Sequence, residues 1–431
     1  MAVNATGLKK STRLVMALAL RNVRRPKTTA PFHYFDNNAT TFMSPAVVAE
    51  FDRWASCANP SSTNYDVGER AHRAVDAARE IVASVMSVAA SEIYFGSGAT
   101  EANNIVIQGF VACYRRRTNG KRPHVVTSAF EHKSVLQVVQ QLEARGDVVA
   151  TYVHPDSQGI IDPRDVADAV RPNTALVSIM HANNELGTVQ DVGAIGQLLS
   201  ERARALRKTR SRHAPPMRFH VDCAQTFGKI AVRPRCDFGA DAVTFSAHKF
   251  HGPKGVGGFY LRTGAECDSL TFGGPQESSL RPGTENVAGI RATALALRLT
   301  TADRVARNER LRFLTTRLID DLRRAGFDVR MVSHPTQRLP HSLMVSFIEP
   351  RFSFCNTRLV RFCGDRGCYI SVGSACETQA KKSYVMHAIG APPIVRRGAV
   401  RIGMSDETTD ADVRALERAI VDGARDQAIS Q

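Results

Sequence analysis

Residues 241–255 read DAVTFSAHKFHGPKG, an apolar run of strand length followed by a polar turn with two glycines. Outward from this unit, apolar runs of strand length alternate with runs of helical periodicity from about Ser44 onward. That alternation predicts an α/β fold with a mostly parallel sheet covered by helices on both faces. The predicted strands lie at residues 92–95, 124–128, 148–153, 175–180, 218–221, 242–245 and 257–261, and the predicted helices include residues 68–85, 100–115 and 192–209.

The C-terminal third of the chain has a different pattern. A long helical stretch follows Gly289 and runs to about Ala325, and a mixed segment then ends in a helix at residues 410–428. We interpret this part as a second, smaller α/β domain joined by the long helix. The predicted division is a basic leader at 1–31, a large domain at 45–295, and a small domain formed by 32–44 with 296–431.

The chain of 431 residues has a formal charge of +16, and seven of its basic residues precede the first acid, Asp36. A basic leader without acids has the composition of an organelle transit peptide, so we expect a mitochondrial or other organelle matrix, with the cytoplasm as the alternative. A second basic run, residues 202–218, is expected to be a solvated loop rather than a nucleic-acid site. No run of about 18 apolar residues predicts a membrane span.

The nine cysteines are scattered and form no Cys-x-x-Cys pair. This pattern favours a reducing compartment over a disulfide scaffold. Cys363 and Cys368 are close in sequence, but no second pair completes a metal site, so no metal is expected.

Lys249 follows the predicted strand at 242–245, in the run SAHK at 246–249. A lysine just past a buried strand can form a Schiff base with a carbonyl cofactor if its surroundings let it lose its proton. Asp222 closes the predicted strand at 218–221 and suits the carboxylate that pyridoxal phosphate needs at its ring nitrogen. A polar turn or a helix cap would explain either residue alone, but not the two together.

Residues 96–100, GSGAT, link a predicted strand to a helix that starts near Thr100. Backbone N–H groups at a helix N-terminus are suited to phosphate binding. Glycine-rich turns of this kind also occur without a ligand. The turn therefore supports a cofactor site mainly through its combination with Lys249 and Asp222.

Together these segments resemble the cysteine desulfurases of the class V aminotransferase family, from about Tyr34 to the C-terminal helix. The matching stretches are YFDNNATT (34–41), SGATEANN (97–104), EHKS (131–134), NNELG (183–187), DCAQ (222–225), SAHK (246–249), RPGTEN (281–286) and GSAC (373–376). The resemblance implies the type I fold of PLP-dependent transferases, with a seven-stranded, mostly parallel sheet and a smaller C-terminal α/β domain.

The resemblance also implies pyridoxal 5′-phosphate as the cofactor. Lys249 would carry it and act as general base, His132 would stack on its ring, and Asp222 would bind the ring nitrogen. Thr284 would reach the phosphate from the other subunit, which makes a homodimer obligatory. The remaining residues implied to bind the cofactor are Ala99, Thr100, Asn183, Gln225, Ser246 and His248.

On the substrate side, the resemblance implies that Arg401, with Asn183, grips the carboxylate of L-cysteine. Cys376 would take the sulfur as a persulfide, leaving L-alanine. The sulfur would pass to an acceptor such as an iron–sulfur scaffold protein or a tRNA-thiolation enzyme. Cys376 follows the small residues 373–375, whereas a buried structural cysteine would have apolar neighbours.

Three stretches depart from the family pattern: GMS at 403–405, GGPQESS at 273–279, and Lys381 with Lys382 after the cysteine. They concern the substrate loop and the partner surface more than the cofactor. The alternatives that remain are a selenocysteine lyase, an aminotransferase or other carbon–sulfur lyase with no use for Cys376, and a basic scaffold or RNA-binding protein that keeps only the fold. Neither a membrane nor a nucleic acid is expected as a partner.

Overall fold

The computed structural model describes residues 32–348, 354–373 and 383–429, so the predicted leader and Cys376 lie outside the described residues. The strands in chain order are β1 (His33–Tyr34), β2 (Ile93–Gly96), β3 (His124–Ser128), β4 (Val149–Val153), β5 (Thr174–Met180), β6 (Arg218–Asp222), β7 (Ala242–Ser246), β8 (Gly257–Leu261), β9 (Val329–Met331), β10 (Ser342–Phe347), β11 (Cys368–Tyr369) and β12 (Ala399–Gly403). The α-helices are α1 (Pro45–Trp54), α2 (Asp66–Met86), α3 (Ala99–Arg117), α4 (Lys133–Ala144), α5 (Pro163–Asp168), α6 (Val192–Ala205), α7 (Val287–Ala302), α8 (Arg304–Arg324), α9 (Asn356–Asp365), α10 (Tyr384–Ala388), α11 (Pro393–Gly398) and α12 (Asp410–Ile429).

The central sheet has seven strands in the order β2-β8-β7-β6-β5-β3-β4. Only β8 runs antiparallel to its neighbours in this sheet, which confirms the predicted seven-stranded, mostly parallel α/β fold. Strands β3, β5 and β7 are buried at every residue, because helices cover both faces of the sheet. The carboxyl ends of β2, β3, β5, β6 and β7 therefore lie on one edge, where ligands of open α/β sheets bind.

A second, antiparallel sheet has the order β12-β10-β9, and β1 pairs in parallel with β11. The strands of these two small sheets pack against α8, α9 and α12 and form one hydrophobic core with them. Cys363 and Cys368 lie in that core, where burial raises the pKa of Cys363 to about 12 and that of Cys368 to about 11. These two thiols are held in the protonated form that packs in apolar surroundings.

The predicted long helix after Gly289 is wrong: the structure has two helices, α7 and α8, separated at Asp303. The backbone of Asp303 is not helical (φ −115°, ψ 36°). The apolar residues of α7 pack in the core of the large sheet, whereas Leu311, Leu314 and Leu318 of α8 pack in the core of the small one. The chain turns at Asp303 because the apolar face of α7 packs in the core of the large sheet and the apolar face of α8 packs in the core of the small sheet.

Among the described residues, no helix is both long enough and apolar enough to cross a membrane.

Candidate active site

The segments that follow five strands bring the predicted site residues to one edge of the central sheet. Asp222 ends β6, Ser246 ends β7, and His132 comes four residues after β3. The NNELG turn (183–187) follows β5. Residues 96–100, the turn predicted to bind phosphate and called the phosphate turn from here on, begin at the last residue of β2. Residues far apart in sequence thus share one site because their strands are parallel and end together.

Lys249 ends a short 3₁₀ turn, residues Ala247–Lys249, directly after β7. Its Nζ donates hydrogen bonds to the carbonyl oxygens of Asn38 and Ala39, at 2.7 and 2.8 Å. The carbonyl oxygen of Asn38 also accepts a hydrogen bond from Gln225 Nε2 at 3.0 Å. The segment after β1 therefore fixes the lysine and the glutamine relative to each other.

Asp222 is buried at the end of β6, and its carboxylate accepts two hydrogen bonds. Asn103 Nδ2 donates to Oδ2 at 2.9 Å, and the backbone N–H of Ala224 donates to Oδ1 at 2.9 Å. Asn103 is held in turn by Thr244, whose hydroxyl donates to Asn103 Oδ1 at 2.6 Å. Such a carboxylate is oriented and able to pair with a protonated ring nitrogen.

His132 caps the N-terminus of α4, where its Nδ1 accepts a hydrogen bond from the backbone N–H of Ser134. Burial lowers the pKa of His132, and the nearby cations of Lys249 and Lys133 lower it further, while Asp222 opposes them. Ser134 Oγ accepts from Asn103 Nδ2 at 2.8 Å, so Asn103 links Asp222 to the turn that carries His132. A neutral imidazole suits stacking on an electron-poor ring.

The phosphate turn is built around a close approach of backbones. The N–H of Ala99, the first residue of α3, donates to Ser246 Oγ at 2.7 Å. Gly98 has a positive φ of 143°, and a Cβ there would lie 3.1 Å from Ser246 Oγ. A Cβ on Gly257 would lie 2.7 Å from the Cα of Gly98. The two glycines thus let the N-terminus of α3 approach the end of β7 and the start of β8 closely, and a helix N-terminus is suited to binding an anion.

Thr100 and His248 are two further residues that the resemblance implies for cofactor binding. Thr100 is exposed in the first turn of α3. His248 Nδ1 lies 3.1 Å from Thr40 Oγ1, and burial together with the charge of Lys249 lowers its pKa to about 3. His248 is therefore neutral at the protein's working pH and can offer one N–H to an anion.

Gln225 and Asn183 use their amides differently. Gln225 Oε1 is buried and has no hydrogen-bond partner among the described residues, so this side chain has an acceptor left for a ligand. Asn183 Nδ2 donates to the carbonyl oxygen of Phe130, and its Oδ1 accepts from the N–H groups of Glu185 and Leu186, each at 2.9 Å. In the structure Asn183 therefore braces the NNELG turn, and its role toward cofactor and substrate stays a prediction.

Arg401 is buried in β12 and is paired with Asp36. Its guanidinium donates to Asp36 Oδ1 at 2.7 Å and to the carbonyl oxygen of Asn184 at 3.0 Å. Within residues 32–348, 354–373 and 383–429, its Nε has no hydrogen-bond partner. Since Asp36 precedes the Asn38 and Ala39 carbonyls that hold Lys249, one short segment connects the arginine to the lysine.

Thr284 stands apart from these residues: it is exposed on the loop between β8 and α7. Cys376 lies outside the described residues, but both flanks of its segment are described. Ser371 exchanges backbone hydrogen bonds with Arg401, and Ser383 Oγ donates to Glu185 Oε2 at 2.7 Å. The segment with Cys376 thus starts and ends beside the arginine and the NNELG turn.

Sequence reasoning assigned no role to Asn103, Ser134 or Glu131, although all three lie in the quoted stretches SGATEANN and EHKS. The sequence feature that could have identified them is a polar residue at a position where the helical or strand periodicity predicts a buried side chain. Asn103 and Glu131 are fully buried, and a buried polar side chain requires a partner. Asn103 donates to Asp222 and to Ser134 in the turn that carries His132, whereas Glu131 accepts from Ser128 Oγ and from the N–H of Met180.

These residues fit pyridoxal phosphate: an amine, an oriented carboxylate, a neutral imidazole and a glycine-lined helix N-terminus lie on one edge. The unpartnered Oε1 of Gln225 offers a further polar contact there. Lys249, Asp222 and His132 would hold the aldehyde, the ring nitrogen and the ring face.

The sequence profile of the family described as "Aminotransferase class-V" matches residues 33–416. A protein of Methanosarcina thermophila named "Cysteine desulfurase IscS" is 35% identical over 390 residues, which are 89% of this chain and 90% of that protein. A protein of Vibrio cholerae serotype O1 with the same name is 34% identical over 390 residues, 88% of this chain and 89% of that protein.

Solved structures give the same result. A structure titled "NIFS-LIKE PROTEIN" matches with a TM-score of 0.80 and 32% identity, covering 91% of this chain and 99% of that chain. A structure titled "SspA in complex with cysteine" matches with a TM-score of 0.71 and 31% identity, covering 88% and 100%.

Proposed function

The chain belongs to the class V aminotransferase family, and we propose that within it the chain is a cysteine desulfurase that uses pyridoxal 5′-phosphate. It converts L-cysteine to L-alanine and passes the sulfur to an acceptor, such as an iron–sulfur scaffold protein or a tRNA-thiolation enzyme. The observation that carries the proposal is the convergence of Lys249, Asp222 and His132 at one sheet edge. The similarity to proteins named cysteine desulfurase supports the choice of substrate.

Pyridoxal phosphate, when bound, supplies an electron sink for the bonds broken at the substrate. Lys249, as a neutral amine, takes the proton from the α-carbon. Asp222, oriented by Asn103, keeps the ring nitrogen protonated. Arg401 receives the substrate carboxylate, which competes with Asp36 for the same guanidinium.

Cys376 completes the reaction as the sulfur acceptor. Its thiolate attacks the substrate sulfur, so an S–S bond forms as the C–S bond breaks. The electron pair of the C–S bond stays with the carbon fragment, which takes up protons and leaves as alanine. The sulfur remains on Cys376 as a persulfide. Because Thr284 is exposed, we further propose that it reaches the phosphate of a partner subunit's site in a homodimer.

The decisive experiment compares Cys376→Ser, Lys249→Ala and the wild-type protein. Cys376→Ser keeps the visible absorbance of the bound cofactor and its spectral response to cysteine, because those steps use Lys249 and Asp222. Its alanine and sulfide production falls by several orders of magnitude, about 4–8 kcal/mol of barrier. Lys249→Ala loses both the absorbance and turnover while remaining folded.

The matched control is Cys57→Ser, at an exposed cysteine outside the site, which retains wild-type activity. Mass spectrometry of the wild-type protein after cysteine treatment detects one added sulfur on Cys376. A Cys376→Ser protein that makes alanine from cysteine at the wild-type rate would contradict the proposal. A much faster reaction with selenocysteine than with cysteine would instead identify a selenocysteine lyase.

A further inference from the structure

A second lysine, Lys229, shares a pocket with Lys249. It lies in the turn after β6, and both lysines line a pocket that is partly open to solvent. Lys229 Nζ lies 3.1 Å from Nε2 of His341, which is buried just before β10. Burial lowers the pKa of His341 well below its usual range, so its neutral imidazole accepts a hydrogen bond from Lys229.

The surroundings of Lys229 oppose a positive charge. Burial lowers the pKa of Lys229 to about 7, and the charges of Lys249, Arg307 and Arg401 act in the same direction, with Asp406 opposing them. The amine is therefore close to half-protonated near neutral pH. The titratable and charged groups that face it are Lys249, His251, Arg307, His341, Arg401 and Asp406.

We propose that Lys229 is a positioning residue for the proton of Lys249: Lys249 takes the α-proton as a neutral amine, and Lys229 stays neutral while Lys249 holds that proton. This inference rests on the proposed function, in which Lys249 takes the α-proton of the substrate. A permanent cation at position 229 would repel the ammonium group that this step creates. Lys229 keeps its hydrogen bond to His341 while Lys249 takes the α-proton. Neither lysine releases a proton in this step.

The first test uses cofactor-free protein and measures the rate of acetylation of Lys249 against pH, by peptide mass spectrometry. Lys229→Arg carries a permanent charge and moves the half-labelling pH of Lys249 downward by about one unit. Lys229→Met carries none, and at pH 6 its Lys249 reacts several-fold more slowly than in the wild-type protein, where Lys229 is charged. Lys121→Met, at an exposed lysine outside the pocket, behaves as the wild type.

Equal labelling of Lys249 in the wild type, Lys229→Met and Lys229→Arg would overturn the inference. Because this readout needs neither cofactor nor substrate, it stands even if the protein proves not to be a desulfurase. Either variant alone is sufficient to test the inference, so Lys229→Met serves if the larger arginine side chain does not fit the pocket.

The second test uses the cofactor-loaded protein and follows the exchange of the α-hydrogen of L-alanine with solvent deuterium by NMR. This exchange requires Lys249 but not Cys376, so the thiol does not contribute to its pH profile. At pH 8 Lys229→Met exchanges at the wild-type rate, whereas Lys229→Arg exchanges about tenfold more slowly. Below pH 7 the wild-type rate falls toward that of Lys229→Arg, and the Lys229→Met rate does not follow it. Wild-type exchange by Lys229→Arg would overturn the inference.

Discussion

Glu131 precedes His132 and holds a carboxyl group that is completely buried. Its Oε1 accepts hydrogen bonds from Ser128 Oγ and from the N–H of Met180, while Oε2 has no hydrogen-bond partner in the part of the chain that the structure describes. Burial raises the pKa of Glu131 to about 8, and the charge of Asp222 raises it further. The carboxyl group is therefore protonated at neutral pH and ties the ends of β3 and β5 together beside His132.

This environment predicts a pH-dependent stability. The folded-state pKa of Glu131 lies above its unfolded value, so the folded state binds more protons, and stability is lost as pH rises from about 5 to about 8. The slope from this one group approaches about 1.4 kcal/mol per pH unit. Glu131→Gln, which imitates the protonated form, removes this part of the pH dependence.

The measurement for Glu131 is Tm against pH for the wild type, Glu131→Gln and the control Glu80→Gln, at an exposed glutamate of α2. The difference in Tm between Glu131→Gln and the wild type grows from pH 5 to pH 8, and the control stays parallel to the wild type. Parallel curves for Glu131→Gln would mean that Glu131 is already ionised at pH 5.

At the scale of elements, the turn at Gln276–Ser279 is shaped by a buried ion pair. It falls in the stretch 273–279, which departs from the family pattern, and it precedes the loop that carries Thr284. Glu277 has a positive φ of 47° and accepts two hydrogen bonds from Arg79 of α2, at 2.7 and 2.8 Å. The backbone N–H of Phe95 donates to the same carboxylate at 2.8 Å. Three contacts thus hold a strained backbone in place.

Arg79→Met leaves the Glu277 carboxylate buried without its cation, and we expect a loss of about 3 kcal/mol of unfolding free energy. Ser279→Gly is the matched control in the same turn. Ser279 is exposed with a φ of 62°, so glycine relieves strain there and stability does not fall. Thermal unfolding of the two variants measures both effects. Equal Tm values for Arg79→Met and the wild type would show that the ion pair does not hold the turn.

At the scale of the whole molecule, the exposed Thr284 predicts that one site draws on two chains. Thr284→Val alone weakens cofactor binding about tenfold, because one hydrogen bond to a charged phosphate is lost. Hybrid dimers of a Thr284→Val chain with a Lys249→Ala chain contain one site that has both Lys249 and Thr284. Co-expression with two affinity tags yields these hybrids. The one site of the hybrid that keeps Lys249 binds the cofactor with the affinity of a wild-type site. A hybrid as weak as Thr284→Val would place the threonine in its own chain's site.

The basic leader leads to a separate prediction. The family match begins at residue 33, and every candidate site residue follows it. Removing residues 1–31 therefore leaves alanine production from cysteine unchanged, as measured on the purified truncated protein. The same 31 residues fused to a fluorescent reporter test the proposed organelle targeting, and an unchanged cytosolic reporter would exclude it.

Local sequence patterns were sufficient to predict the seven strands of the central sheet to within about one residue of their observed bounds, and to place Lys249, Asp222 and the phosphate turn at the ends of three of them. Strands buried on both faces read as short continuous apolar runs, which makes them visible locally. Polar residues directly after such runs are equally visible. The single long helix predicted after Gly289 was wrong because helical periodicity indicates an apolar face but not the core against which that face packs.

Contacts between side chains that are distant in sequence became visible only in the folded structure. Asn103 supports Asp222 across 119 residues, Arg79 meets Glu277 across 198, and Lys229 meets His341 across 112. Arg210, predicted to lie in a solvated loop, donates to the carbonyl oxygens of Pro172 and Thr174 instead. These pairings follow from strand order and from how the helices cover the sheet, which no local pattern encodes. The sequence thus indicated the candidate reacting groups, whereas packing decided which side chains and backbone groups hold each of them.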